Sequence, residues 1–423
     1  MNWPIAPLAR LARLVGGGTP SKSHDDFWDG TIPWASPKDM SSRDLRDTEN
    51  HITEAAVHES ATQLVPAGSV LIVVRSGILV RRFPVALARV PVALNQDLKA
   101  LVPNHGLLPE FLAYALEARS EYVLGHCVKR GATVHSIDVG KLQQLELPVP
   151  AVSEQRRIVQ ILDQADRLRR LRADADAKAD RILPALFIKM FGDPATNPMG
   201  WPMKALGDLT EHLTSGSRGW SKFTGRGPAC FLRTQDINDG DIADNLLPVD
   251  PPDGAEAERT RLAVGDVAIT ITGIVGKAAV FCGHDRPVYV SQHVALVRPK
   301  ADELCSEYLA GYANLPLEDV PVLARFQYGQ TKPGLGFQEL RTARILLPPL
   351  ERQRAFAKYV NAVQLYRHAG GASAEALAAL WTSLLSRSFS GDLTGSWREA
   401  HMKELLQEIE QQAKALAAVG PVE

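Results

Sequence analysis

The chain has 423 residues, of which 45% are hydrophobic and 22% are charged, a composition typical of a globular protein with about two to three domains. Its formal net charge of −1 argues against a protein that coats nucleic acid through bulk positive charge, but it is compatible with a local basic cleft. No run of about 18 apolar residues occurs, and the N-terminal segment has no uninterrupted apolar stretch, so we expect a cytoplasmic protein.

The cysteines and histidines do not suggest a metal site or a disulfide framework. Cys127, Cys230, Cys282 and Cys305 are scattered without a CxxC pair, and the histidines lack metal-ligand spacing. We therefore expect four buried thiols and no bound metal.

An internal repeat organises the chain into two halves related by an offset of 196 to 198 residues. Each half starts with a Gly/Ser/Thr-rich loop and continues through buried strands, a short helix and a second loop. It then ends in a proline-rich strand that leads into one long helix. The predicted fold class is α/β (α+β), and the predicted order is domain 1–150, proximal helix 151–196, domain 197–349, distal helix 350–392 and helical tail 393–423.

The two long helices carry the same apolar seam. Small or apolar residues recur at alternating steps of three and four, with Arg172 as the one interruption, and this pattern is typical of helix pairing. One such helix alone more often packs on its own domain, so it is the repeat that favours pairing. The seam residues are Ile158, Ile161, Ala165, Leu168, Arg172, Ala175, Ala179, Ile182 and Leu186, and, 198 residues later, Phe356, Tyr359, Val363, Tyr366, Gly370, Ser373, Leu377, Leu380 and Leu384.

Three residues are expected to disturb these helices. Pro184 should kink the proximal helix near its end, and Gly370 with Gly371 should interrupt the distal helix at mid-length. Gly370 takes the register position of Arg172. In an antiparallel pair the two should lie close together, with the missing side chain leaving room for the arginine stem.

Motifs of DNA-modifying and nucleotide-binding enzymes occur only as fragments. Asp250–Asp253 imitates the DPPY loop of amino-methyltransferases but lacks its aromatic residue. Gly273–Lys277 resembles a phosphate-binding loop but has too few residues between its glycines. We therefore do not expect catalysis in this chain.

Polar, glycine-punctuated loops at equivalent places in the two halves are the candidate DNA-binding surface, because such side chains reach phosphates and base edges. A solvated loop is the alternative for each residue taken singly. The halves keep one framework and differ in loop chemistry, which fits two readers of different sequences. The candidates are Thr19, Ser21, Lys22, Ser36, Lys38, Arg75, Gln96, Thr133 and His135, and Ser217, Arg218, Arg233, Thr234, Gln235, Lys277, Gln292, Gln330 and Lys332.

Three segments resemble the specificity subunits of type I restriction-modification enzymes, and the resemblance spans essentially the whole chain. They are LPVPAVSEQRRI (147–158), LLPPLERQRAF (346–356) and FSGDLTGSWR (389–398). The resemblance implies two α/β target recognition domains separated by two long helices that form an antiparallel coiled coil in pseudo-two-fold relation. It further implies a non-catalytic subunit that selects a bipartite DNA site, with one domain for each half-site.

The resemblance also implies partners and cofactors outside this chain. The partners would be double-stranded DNA, two modification (methyltransferase) subunits and, in complexes that cleave DNA, restriction (motor-nuclease) subunits. S-adenosylmethionine would belong to the modification subunit, and ATP and Mg to the restriction subunit. Two other functions stay open, a helical scaffold or adaptor without DNA binding and a free-standing methyltransferase or restriction enzyme. A DNA-binding assay would separate the first from a specificity subunit, whereas the second would need catalytic motifs in the chain.

Overall fold

The computed structural model describes residues 3–131, 134–238, 240–317, 320–326 and 334–418. The chain forms two compact units, one of Met1–Arg170 with Ala376–Glu423 and the other of Leu171–Glu375. Each unit therefore combines one domain with a part of each long helix.

The first domain mixes short strands and helices. Its strands are β1 (Ile5–Pro7), β2 (Ala12–Gly16), β3 (Trp28–Ala35), β4 (Asp44–Leu45), β5 (Asn50–Ile52), β6 (Leu64–Val65), β7 (Val70–Val73), β8 (Arg75–Ser76), β9 (Val85–Ala88), β10 (Val92–Leu94), β11 (Leu98–Pro103), β12 (Val128–Lys129), β13 (His135–Ile137) and β14 (Glu146–Pro148). Its helices are α1 (Leu8–Leu11), α2 (Glu54–Glu59), α3 (Pro109–Ala118), α4 (Ser120–His126) and α5 (Val139–Gln143).

Two sheets hold the core of the first domain. One has the order β2-β11-β7-β9-β4 and the other the order β5-β3-β10-β6. The apolar run Val70–Val73 is buried at every position, as expected for a strand covered on both faces. α3 closes this core with the fully buried rings of Phe111 and Tyr114. Strands β3 and β10 are parallel, so their carboxyl ends meet at one edge of the sheet.

The remaining elements follow in chain order. After the long helix α6 (Val152–Phe191), the second domain has the strands β15 (Met203–Ala205), β16 (Thr210–Ser215), β17 (Thr224–Leu232), β18 (Ile237–Asn238), β19 (Asp241–Ile242), β20 (Leu247–Val249), β21 (Val267–Thr270), β22 (Ala278–Val280), β23 (Val288–Val290), β24 (Val294–Pro299), β25 (Pro316–Leu317), β26 (Val320–Pro321) and β27 (Arg344–Leu346). Its helices are α7 (Ala255–Thr260), α8 (Ser306–Ala313) and α9 (Phe337–Thr342), and they are followed by the long helix α10 (Leu350–Ser390) and by α11 (Gly395–Ala400) and α12 (Met402–Ala418).

The second domain repeats the sheet plan of the first. The order β16-β24-β21-β22 corresponds to β2-β11-β7-β9, and β20-β17-β23 corresponds to β5-β3-β10. β17 and β23 are again parallel, with Phe231 beside Tyr289. The repeat seen in the sequence is therefore a repeat of strand topology.

Within each unit the two long helices pack beside each other in opposite directions. In the first unit Ile158 and Leu162, from the start of α6, share a core with Trp381, near the end of α10. In the second unit Phe187, near the end of α6, packs on Phe356 at the start of α10, with ring centroids 5.5 Å apart. The pairing is antiparallel, and the predicted fold class, with two similar domains and two long paired helices, is confirmed.

Neither long helix is broken. α6 continues through Pro184, and α10 continues through Gly370 and Gly371, so the predicted interruption at the glycines is wrong. Packing compensates for the local propensities, since Leu183 and Phe187 on either side of Pro184 contact the core of the second unit.

The buried positions of the helices differ in part from the predicted seam. Ile158, Phe356 and Val363 are buried, Leu186 and Leu384 pack on the cores from partly buried positions, and Ser373 is exposed. Several other seam residues are 43–52% exposed, namely Leu168, Ile182, Tyr359, Tyr366 and Leu380. The neighbouring positions are buried instead, namely Leu162, Phe187, Val360 and Trp381. The helix repeats every 3.6 residues rather than 3.5, and each half also packs on its own domain, so the buried face drifts away from a strict heptad seam.

The expectation of four buried thiols is only half correct. Cys127 and Cys230 are buried, whereas Cys282 is exposed and Cys305 is half-buried. Within the described ranges, no helix has both the length and the apolar character needed to cross a membrane.

Candidate nucleic-acid interface

One edge of the first domain collects most of its predicted DNA-binding residues. β3 and β10 end side by side, and the Asn95 amide donates to the Ala35 carbonyl at 2.9 Å. The loops that carry Ser36 with Lys38, and Gln96, therefore leave the sheet together. The exposed side chains of Lys38 and Gln96 extend the polar character of this edge.

The glycine-rich loop joins the same edge. The Gly18 amide donates to the Leu94 carbonyl at 2.9 Å, and a Cβ on Gly17 would collide with the Asn95 carbonyl oxygen. This close approach requires glycine. It places Thr19 beside Gln96, whose side-chain oxygen accepts a hydrogen bond from the threonine hydroxyl. The candidates Ser21 and Lys22 follow in the same loop, and both are exposed.

Arg75 and His135 reach this edge from two paired strands, β8 and β13. The Val74 amide donates to the Asp97 carbonyl at 2.8 Å, and the Arg75 guanidinium lies 3.8 Å from the Asp97 carboxylate. His135 pairs with Ser76 across an antiparallel ladder. The structure thus brings the described candidates of the first domain together, whereas Thr133 lies outside the described residues.

The second domain builds the equivalent edge with other side chains. The Ser291 amide donates to the Leu232 carbonyl at 2.9 Å, so the loop of Arg233, Thr234 and Gln235 lies beside the loop of Gln292. A third loop joins them, because the Gly216 amide donates to the Ser291 carbonyl at 3.2 Å, and this loop carries Ser217 and Arg218. Gln330 and Lys332 lie outside the described residues.

Some candidates are held by contacts within their own domain. The Ser36 amide and hydroxyl both donate to Asp39 at 2.8 Å. Ser217 is 7% exposed, and its hydroxyl accepts from Arg259 at 3.2 Å. These two serines therefore stabilise loops, whereas the exposed Arg218, Gln235 and Gln292 have side chains within reach of a ligand.

Lys277 stands in a different setting. It lies in the hairpin between β21 and β22, where its amide donates to the Thr270 hydroxyl at 3.0 Å. Lys277 lines a cleft of about 340 Å³ together with Asp180, Gln364 and Arg367 from the long helices of the same unit.

A buried glutamine that the sequence analysis did not single out anchors the first domain to α6. Gln155 is fully buried. Its side-chain oxygen accepts from the Leu108 amide at 2.8 Å, and its amide nitrogen donates to the carbonyls of Gly106 and Pro150, each at 2.9 Å. All polar atoms of the side chain are satisfied inside the unit, so Gln155 fixes the start of α6 against the start of α3.

Gln353 repeats this anchor in the second unit. It accepts from the Cys305 amide at 2.9 Å and donates to the carbonyls of Glu303 and Pro348 at 3.0 and 2.8 Å. The sequence contains one sign of these anchors, which is that the two glutamines stand 198 residues apart in the segments SEQRR and LERQR. Their backbone partners could not be read from the sequence.

The chain ends meet the start of α6 in the first unit. The fully buried Glu154 accepts from the Thr394 hydroxyl at 2.6 Å, from Arg398 at 2.8 Å and from the Trp3 indole at 2.9 Å. The tail helix α12 adds a contact from Gln412 to the Gly106 carbonyl at 2.8 Å. The tail is therefore a docked part of the first unit.

Known proteins similar to this chain come from one family. Residues 2–177 match the type I restriction modification DNA specificity domain family. The specificity subunit of the type I restriction enzyme EcoR124I/EcoR124II from Escherichia coli is 46% identical over 162 residues, which cover 38% of this chain and 40% of that protein. The MjaIX specificity subunit of Methanocaldococcus jannaschii is 29% identical over 236 residues, covering 51% and 53% of the two chains. The chain thus matches about half or less of the length of these relatives.

Solved structures share the fold over a longer span. The S subunit of a type I restriction-modification system from M. genitalium matches 92% of this chain and 96% of its own, with a TM-score of 0.55 and 15% identity. A chain from a study of complex assembly and conformational transition of the type I R-M system matches 93% and 98%, with a TM-score of 0.52 and 18% identity. The N-terminal part of the chain is therefore similar to type I restriction-modification specificity subunits, and the whole chain shares the fold of their solved structures.

Proposed function

We propose that this chain is the DNA sequence-specificity subunit of a type I restriction-modification complex. Each domain would read one half of a bipartite site in double-stranded DNA. The observation that carries this proposal is the repeated edge, where parallel strands of both domains end and polar loops gather. In this function the chain recognises DNA and leaves catalysis to its partners.

The difference in loop chemistry supports two different half-sites. At equivalent strand ends, the first domain has Ser36, Pro37 and Lys38, and the second has Arg233, Thr234 and Gln235. Arginine and glutamine side chains suit base-edge recognition, whereas a lone lysine suits phosphate contact. One framework with two sets of side chains fits two sequence preferences.

The helices offer a surface for partner subunits. In the second unit Leu171, Ile182, Tyr359 and Tyr366 on the long helices are 43–54% exposed. Exposed apolar side chains along helices are candidates for contact with an amphipathic helix of another protein. We propose that two modification subunits, carrying S-adenosylmethionine and adenine methyltransferase activity, dock on these helices. In complexes that cleave DNA, restriction subunits would add to this core.

A reconstitution experiment tests the function. The purified chain, alone and with a modification subunit, is incubated with S-adenosylmethionine and a randomised DNA library, and methylated adenines are located by sequencing. We expect methylation at a bipartite motif only when both proteins are present. Methyl transfer by a preparation of this chain proven free of partners, or a complex without sequence preference, would contradict the proposal. A complex that does not bind DNA at all would instead indicate that the chain is a helical scaffold.

A further inference from the structure

The second domain holds an arginine in a defined orientation at its candidate DNA-binding edge. Arg233 directly follows strand β17 and precedes the turn Thr234–Asp236. The Asp236 carboxylate accepts hydrogen bonds from the Arg233 backbone amide, from its Nε–H and from an Nη2–H, each at 2.9 Å. We propose that the half-site read by the second domain contains a guanine recognised by Arg233, and that Asp236 is its positioning residue. This inference rests on the proposed DNA-reading function.

The geometry leaves the guanine-binding end of the guanidinium available. A guanidinium has five N–H donors, and the carboxylate of Asp236 occupies two of them on one side of the fork. Arg233 Nη1 makes no hydrogen bond to any residue that the structure describes, and the side chain is 32% exposed. The paired donors of Nη1 and Nη2 match the O6 and N7 acceptors of guanine in the major groove.

The charge balance favours a base over a phosphate. Asp236 is 5% exposed, so its charge is compensated locally by Arg233. A neutralised pair attracts the phosphate backbone less than an isolated cation does. Arg218, which is exposed at the same edge and has no ion pair within the described residues, is better suited to that role. The aspartate also fixes the arginine rotamer before DNA binds, which reduces the entropy lost on recognition.

The first domain shows that the turn does not need the guanidinium. Its equivalent turn follows Ser36, and Asp39 accepts the Ser36 amide and hydroxyl, both at 2.8 Å. Aspartate therefore caps this turn in both domains, but only the second domain adds a long guanidinium. Arg233→Ser would reproduce the turn of the first domain, so it removes the guanidinium without removing the cap.

The test uses the full chain in complex with its modification subunit. Methylation motifs are determined for the wild type, Arg233→Ser, Arg233→Lys and Asp236→Asn, with Asp39→Asn in the first domain as the matched control. We expect a guanine at one position of one half-site in the wild-type motif. Arg233→Ser should reduce discrimination at that position by about 5- to 150-fold. Arg233→Lys and Asp236→Asn should relax the same position to a smaller extent, and Asp39→Asn should leave this half-site unchanged.

Three results would overturn the inference. They are a motif without guanine in the half-site of the second domain, an unchanged preference in Arg233→Ser, and a uniform loss of affinity with a shallower salt dependence, which indicates a phosphate contact. In each case the wild-type complex still has a bipartite motif, so the proposed function stands. A wild-type complex with no sequence preference would instead contradict the proposed function itself.

Discussion

Arg172 lies against Gly370, its own equivalent in the internal repeat. A Cβ on Gly370 would be 2.8 Å from Cζ of Arg172, so the glycine makes room for the guanidinium rather than for the arginine stem. The guanidinium also donates to Asp176 at 3.0 Å and lies 5.2 Å from the ring centre of Tyr366. Repeat-related positions meet here, as expected where antiparallel copies cross at their midpoints.

The two adjacent glycines of α10 should therefore respond differently to substitution. Gly370→Leu should destabilise the protein by about 1–3 kcal/mol, because its side chain would displace the Arg172 guanidinium. Gly371→Ala is the control, since a Cβ there meets nothing within 4 Å, and it should stabilise the helix by up to about 1 kcal/mol. Urea denaturation measures both effects. A Gly370→Leu variant as stable as Gly371→Ala would contradict the contact.

The two anchoring glutamines should differ in energetic weight. Gln353→Met leaves the Cys305 amide and two carbonyls without the glutamine, at a cost of about 1–3 kcal/mol for each group that stays unsatisfied. Gln155→Met should cost less, because Gln412 also donates to the Gly106 carbonyl. Denaturant unfolding of the two variants tests this order. The difference between the two costs should vanish when Gln412→Ala is combined with Gln155→Met. A larger cost for Gln155→Met than for Gln353→Met would contradict this explanation.

Asp241 gives a pH-dependent prediction. Burial raises its pKa above the ordinary value of 3.8, and His368 and Arg367 oppose this only in part. The folded protein therefore holds the proton more tightly than the unfolded chain, so stability falls as the pH rises from that value through the raised pKa. Asp241→Asn should be more stable at pH 7 by about 1 kcal/mol or less.

The gain from Asp241→Asn should disappear below about pH 4, where the carboxyl is protonated in both states. Thermal unfolding at pH values from 3 to 8 measures the difference in stability between Asp241→Asn and the wild type. Asp253→Asn, at an exposed position of the same domain that does not act on the Asp241 pKa, is the control for a change in net charge. A constant gain at every pH, or an equal gain in the control, would contradict the assignment.

The sequence predicted the repeat, the long helices and the approach of Arg172 to Gly370, because these depend on periodicity and on equivalent positions. It did not predict the glutamine anchors, since each side chain bonds to backbone groups that are distant in the sequence. It also placed Leu168 and Ile182 in a buried seam, because an ideal heptad ignores how each helix half turns toward its own domain.

Loop position in the sequence indicates the candidate DNA-binding residues, but it does not reveal the contacts that each of them makes. The bond of Arg233 to Asp236 requires the turn geometry, and the burial of Ser217 under Arg259 requires the fold. Strand order explains why these loops nonetheless lie together. Parallel strands that end at one edge bring together loops that are about 60 residues apart.

The central claim is that each domain reads one half of a bipartite site. It is tested most directly by replacing residues 1–150 with the corresponding domain of another specificity subunit. The wild-type and exchanged chains are each expressed with the modification subunit, and methylated adenines are mapped across the genome. We predict a bipartite motif for the wild type and a motif with only one altered half for the exchanged chain. Simultaneous change of both halves, or methylation without a shared motif, would contradict the account.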